Sequence, residues 1–259
     1  MRVMTFNIKA NYPFNIFNKW HKRAHLIYDV IEQYDCDIIG LQEVTNEMEL
    51  DLRKQLKDYH QIGMSRTKNF FMERNTVLIK KKYQVLESKT FWLSKQPHKE
   101  GSSMWHSLFP RIYTKVLCQT RSRRKFVVYN THLDCLSPLA RSYGLQIILG
   151  DISDQQQKEK LPCILMGDFN ATPRSRVMKK FDLEAFKVNG LKAAQSIRPE
   201  IYYESTMGYF TGKERGQHID YIYASNEFEI WNVEIIKYNK EGKYPSDHYP
   251  VMAEIEFKR

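Results

Sequence analysis

Short apolar runs bounded by polar residues recur along the chain, and between them apolar positions return every three or four residues. The runs predict buried strands at 3–8, 36–41, 76–80, 126–130, 162–166, 219–224 and 251–257. The segments 112–119 and 125–130 flank Arg121-Ser122-Arg123-Arg124, which predicts a hairpin with a solvated basic tip. Helical spacing appears over 23–34, where Ala24, Ile27, Ile31 and Tyr34 line one face. Thr45 is placed to cap a second helix carrying Met48, Leu52 and Leu56 on its buried stripe. Ser137-Pro138 opens a third, with Leu145, Ile148, Leu149 and Ile152 on its apolar side, and Thr172-Pro173 repeats that start signal. Trp92 and Trp105 are read as core residues.

Strands and helices mix without the strict alternation of a doubly wound parallel sheet. Two mixed sheets packed face to face with helices outside, a four-layer α/β sandwich, is the expected fold class. No repeat, linker or shift in composition divides the 259 residues, so a single domain over 1–259 is expected.

Composition narrows the classes. Hydrophobic residues make up 42% and charged residues 27%, as in a folded globular chain. No apolar run approaches the roughly 20 residues that cross a bilayer. The N-terminus shows no export signal, and Cys36, Cys118, Cys135 and Cys163 are scattered without metal-ligand spacing. Free thiols, a cytoplasmic location and a monomer are the expectations. A formal charge of +10 suits a polyanionic partner, with nucleic acid the expected one.

Five segments place acidic, amide or imidazole groups at predicted strand ends. Glu43 closes Leu-Gln-Glu-Val, His132 closes Asn-Thr-His, and Asp168 and Asn170 follow a strand in Gly-Asp-Phe-Asn. Asp220 stands in His-Ile-Asp-Tyr, and Asp247-His248 in Ser-Asp-His-Tyr-Pro. Any one of these is ordinary as a turn residue or cap; five together are not. With Asn7 in Thr-Phe-Asn-Ile, the set resembles the endonuclease/exonuclease/phosphatase superfamily, in the same order and over residues 3 to 251.

The resemblance implies a Mg²⁺-dependent (or Mn²⁺-dependent) phosphodiesterase, expected to be a nuclease. It implies that Glu43, Asn7 and Asp247 hold the metal, directly or through water. Asp168 would orient and deprotonate the attacking water, with Asn170 on that water or the phosphate. His248, paired with Asp220, would donate to the phosphate, and His132 would serve near the leaving group as a second donor and general acid. Arg111, in Pro110-Arg111, is placed near a phosphate because arginine makes forked contacts with its oxygens. Arg141 and Gln146 of the third helix are read as structural. Phosphoinositide substrates are marked down, because Gln-His-Ile-Asp stands where that subfamily carries Trp-Cys-Asp-Arg. Abasic-site endonucleases are marked down by Asn-Thr-His-Leu, and secreted sphingomyelinases by the lack of an export signal and a membrane-facing aromatic hairpin. A phosphomonoesterase, a lipid phosphodiesterase and a catalytically idle nucleic-acid binder on the same fold are the alternatives.

Overall fold

The apolar runs form twelve strands in two six-stranded sheets among the described residues, which in this computed structural model are 1–14, 16–68 and 72–259. The first sheet holds β1 (Arg2–Asn7), β2 (Ile38–Val44), β3 (Tyr59–Ile62), β4 (Arg74–Lys80), β11 (Phe228–Ile235) and β12 (Val251–Phe257). Its order is β11-β12-β1-β2-β4-β3. The second holds β5 (Gln84–Trp92), β6 (Ile112–Gln119), β7 (Lys125–His132), β8 (Cys163–Asp168), β9 (Lys192–Ala193) and β10 (Asp220–Ala224). Its order is β5-β6-β7-β8-β10-β9. Helices α1 (Trp20–Tyr34) and α2 (Asn46–Gln55) cover the outer face of the first sheet. Helices α3 (Pro138–Lys158) and α4 (Arg176–Asn189) cover that of the second. This is the four-layer sandwich expected from the sequence.

Both faces of each sheet are covered, which is why the central strands read as continuous apolar runs rather than alternating ones. Alternation still decides which core each side chain joins. Val3 packs between the sheets while Met4 and Phe6 pack under the first pair of helices. Val128 likewise faces the inter-sheet core while Val127 and Tyr129 face α3. The same parity carried to the strand ends puts Asn7, His132, Asp168 and Asp220 on the inter-sheet side. The site lies at the open end of that core.

Two close approaches require glycine. A Cβ on Gly167, at φ +151°, would lie 2.0 Å from the Thr131 carbonyl oxygen of the neighbouring strand. Gly167→Ala should therefore destabilise by ~3 kcal/mol or more, read as a lowered urea midpoint. A Cβ on Gly40 would meet Met166 Sδ at 2.6 Å and Asn130 Oδ1 at 2.8 Å, where the sheets press together.

Helix starts differ from expectation in detail. Ser137 caps α3 as read, accepting from the Ala140 N–H at 3.1 Å. Thr45 occupies the N-cap position of α2, but its hydroxyl is buried without making the cap bond. Thr172-Pro173 forms a turn closed by Ser175 N–H to Thr172 O, and Ser175 caps α4 instead. Strands β3, β5, β9 and β11 lack the apolar runs that mark the others. Trp92 is core, whereas Trp105 stands 87% exposed on a loop.

Candidate active site

The strand register gathers residues far apart in sequence. In the second sheet β8 lies between β7 and β10, so His132 pairs with Asp168 and Asp168 with Asp220. Three titratable groups thus stand side by side at one sheet edge. In the first sheet β1 and β2 run parallel with Asn7 opposite Gln42. By parity Glu43 would point outward to the helices. A register shift between β2 and β4, with Glu43 at φ +62°, turns it into the site instead. Lys9 (φ +54°) and Asn170 (φ +49°) adopt the same left-handed conformation. Three such residues in one site mark stored backbone strain.

The Asn7 amide joins the two halves. Its Nδ2 donates to Glu43 Oε1 and to Asp168 Oδ2, both at 3.0 Å. Glu43 Oε2 accepts from the Ala10 N–H at 2.9 Å. Asp168 Oδ1 accepts from the Asn170 N–H at 2.9 Å, and Asn170 Nδ2 donates to the Leu133 carbonyl at 3.1 Å. His248 Nδ1 pairs with Asp220 Oδ2 at 2.9 Å, and its Nε2 lies 3.8 Å from Asp168 Oδ2. His132 Nε2 lies 3.5 Å from the same oxygen. Asp168 is thereby the hub, bordered by one amide, one backbone N–H and two imidazoles.

Charges follow from these neighbours. Burial raises the Asp168 carboxyl and the nearby Asp220 adds to it, to about 7. Burial alone would hold the His248 imidazole down, but Asp220 overrides it and lifts the group to about 10. His248 is therefore a cation at neutral pH. Burial and the Arg111 guanidinium push His132 well below its ordinary value, so it is neutral. Burial would raise Glu43, yet the Lys9 ammonium and its two N–H donors hold it well below the usual carboxylate range.

Asp247 is placed differently from Glu43. Its Oδ2 lies 3.0 Å from Lys9 Nζ, and its Oδ1 is 3.3 Å from Ser246 Oγ, which also donates to the Asn7 carbonyl at 2.6 Å. Arg111 is buried beside the site, its Nη2 3.6 Å from Cys135 Sγ and its Nε 3.9 Å from Asp134 Oδ2 without a hydrogen bond. Arg141 donates to the Asp134 carbonyl at 2.9 Å, a structural contact.

Four participants were not read from the sequence. Lys9 faces both Glu43 and Asp247, which raise its ammonium even against burial. Arg23, buried on α1, donates to the carbonyls of Ile8, Lys9 and Pro245, tying the end of β1 to the loop that carries Asp247 and His248. Asn130 donates to Leu41 O and Thr76 O at 2.9 Å and accepts from Gln42 Nε2 at 2.7 Å, which locks the two sheets together beneath the site. Arg23, Asn130 and Gln42 are buried polar residues in apolar surroundings, the one signal that could have found them.

A family model described as the endonuclease/exonuclease/phosphatase family matches residues 4–248. The chain belongs to this family. It is accordingly a phosphoester hydrolase, and the endonuclease/exonuclease/phosphatase family is metal-dependent. Nocturnin of Mus musculus is 25% identical over 92% of the chain, which spans 59% of that protein's length. A family structure from Bacteroides vulgatus superposes with a TM-score of 0.88 at 27% identity, covering 99% of this chain and 98% of the other. A mannosyl-6-phosphatase structure from Bacteroides thetaiotaomicron superposes with a TM-score of 0.88 at 22% identity, covering 99% and 100%.

The donor set can be tested against a metal. Glu43 and Asp247 supply hard carboxylate oxygens on the two sides of Asn7, and the Lys9 ammonium is the positive charge that both attract. Hard oxygen donors with a surplus of negative charge fit Mg²⁺. Asp168, Asp220 and His248 also converge, their candidate ligand atoms within 4.8 Å of one another. There the imidazole nitrogens lie 2.9 Å from Asp220 Oδ2 and 3.8 Å from Asp168 Oδ2, a grouping compatible with a metal as well as with a protonated imidazole.

Proposed function

We propose that this chain hydrolyses a phosphodiester by Mg²⁺-assisted attack of water, working as one domain over residues 1–259. The observation that carries this reading is Asp168 held between a cationic His248 and the Asn7 amide that also holds Glu43. A carboxyl raised to about 7 is matched to taking a proton from water near neutral pH. Asn170 fixes that carboxylate through its backbone N–H, so the base keeps one orientation. His248, protonated by its pairing with Asp220, donates to a phosphate oxygen as negative charge builds there. His132 stands on the leaving-group side as a second donor, where its neutral form offers an N–H to the leaving oxygen. Arg111 brings a guanidinium with an unbonded Nε to the same side as His132.

Glu43, Asn7 and Asp247 would hold the metal, Mg²⁺ or Mn²⁺, which when bound supplies neutralising charge at the scissile phosphate and the leaving oxygen. Lys9, which pairs with Asp247 at 3.0 Å, would give up that pairing to a bound cation. Glu43→Gln should raise the Mg²⁺ concentration for half-maximal turnover by roughly tenfold or more. A titration of bis(4-nitrophenyl) phosphate hydrolysis that superimposes on wild type would remove Glu43 from the metal shell.

The nucleic-acid reading of the substrate rests on the charge of +10 and on the family likeness. It is tested by Mg²⁺-dependent cleavage of labelled single-stranded RNA, single-stranded DNA and duplex DNA, with Asp168→Asn alongside. Cleavage lost in the variant supports a nuclease. Intact strands from protein that turns over bis(4-nitrophenyl) phosphate reject it. A second reading, a lipid-borne ester, is favoured by the apolar residues around the site.

A further inference from the structure

The loops that rim this site expose apolar side chains on three sides. After β1, Phe14, Ile16 and Phe17 are exposed, Phe17 to 80%. Before β6 stand Trp105 and Leu108, and after β7 Leu136 and Leu139, all exposed. These loops leave the same strand ends that carry Asn7 and His132, or enter beside them.

Hydrogen bonds join the three loops into one surface. Asp134 accepts from Ser107 Oγ at 2.9 Å and Leu108 N–H at 3.1 Å with one oxygen. With the other it accepts from Leu136 N–H at 2.9 Å and Ser137 N–H at 2.7 Å. Phe109, next along, lies under the Arg66 guanidinium at 5.0 Å. Arg66 pairs with Glu73 at 2.9 Å, Glu73 accepts from Tyr12, and the Tyr12 ring stacks on Phe14 at 5.4 Å. The rim is thus a built feature, anchored by buried polar groups.

Single exposed apolar residues such as Leu50, Leu86 and Trp231 need no account, but a group of them around a catalytic mouth does. Charge identifies the occupant. Residues 8–22 carry Lys9, Lys19 and Lys22 and no acid, and residues 94–111 carry Lys95, Lys99 and Arg111 against Glu100 alone. Aromatic and aliphatic tips set beside Lys19, Lys22, Lys95 and Lys99 match an anionic lipid surface, where hydrocarbon and headgroup charge lie a few ångströms apart. A platform for nucleobases would use flat rings. Ile16, Leu108, Leu136 and Leu139 have none.

We propose that the rim docks on an anionic membrane surface and that the phosphoester hydrolysed is borne by a lipid in that surface. The docking stands on the rim itself; the chemistry rests on the hydrolytic reading above. Co-sedimentation with vesicles of phosphatidylcholine, with or without about one-third phosphatidylglycerol, tests it. Wild type should pellet with the anionic vesicles. Phe17→Ser/Trp105→Ser and Phe17→Ser/Leu139→Ser should each lower partitioning roughly tenfold or more while turning over bis(4-nitrophenyl) phosphate as wild type does. Glu43→Gln should still pellet, so a failure of the catalytic reading and a failure of docking show separately. Wild type that stays in solution over anionic vesicles, or vesicle binding unchanged in both rim variants, overturns the proposal. So does a loss of affinity in those variants for single-stranded oligonucleotides instead of vesicles.

Discussion

Asp168→Asn should lower kcat by roughly 10²- to 10⁴-fold while leaving the fold intact. The substitution keeps the volume but only one of the hydrogen bonds from Asn7 and Asn170, because they donate to different oxygens of Asp168 and an amide has one acceptor oxygen. What it removes is the carboxylate proposed to take the proton. It also removes one of two buried acids whose mutual repulsion and burial raise the Asp168 carboxyl, which offsets part of the lost bond. Steady-state kinetics on bis(4-nitrophenyl) phosphate with a thermal melt of the same preparation checks both halves. Near-normal kcat with an unchanged melt would take Asp168 out of the chemistry.

His248→Ala should cost roughly 10²- to 10³-fold in kcat, the range for losing one charged donor to a developing oxyanion. Its partner gives a sharper test through pH. Burial opposes the charged imidazole, and Asp220, with Asp168 and Asp247 behind it, overrides that and lifts it to about 10. The protonated form is the active one, so wild type should lose activity on this group only as pH rises toward that value. Asp220→Asn removes the largest of these attractions and leaves the burial, so the imidazole falls below its wild-type value. The alkaline limb of kcat should then lie at lower pH than in wild type. A limb that stays near its wild-type position would show that Asp220 does not set the charge of His248.

Several elements of the fold were legible because periodicity reports burial. The seven apolar runs correspond to strands β1, β2, β4, β7, β8, β10 and β12, and the 112–119 run to β6. Strand β5 was not legible, because its exposed positions break the apolar run, and β11 has the same mixed pattern. Thr172-Pro173 misled because a start signal needs a following amphipathic turn, and here that turn waits for Ser175. The rim was illegible for a related reason. Phe14, Phe17 and Trp105 look like core residues one at a time, and only their place on loops leaves them in solvent.

The candidate site divides in the same way. Asn7, Glu43, His132, Asp168, Asn170, Asp220, Asp247 and His248 could be named from motif and order, since chemistry at strand ends uses a small choice of residue types. Their pairings could not. Asp168 and Asp220 are neighbours through strand order, and Asn7 reaches Asp168 across 161 positions of sequence. Glu43 enters the site through a bulge that reverses its parity. By itself the sequence determined most of the buried strands and helices, the family and the list of candidate site residues, because burial period and residue type are local properties. Which carboxylate is the hub, which imidazole is charged, that Lys9 faces both Glu43 and Asp247 and that Asn130 locks the sheets were decided by tertiary structure. Those depend on distances of a few ångströms between remote strands, and electrostatic interaction in a buried site changes steeply over that range.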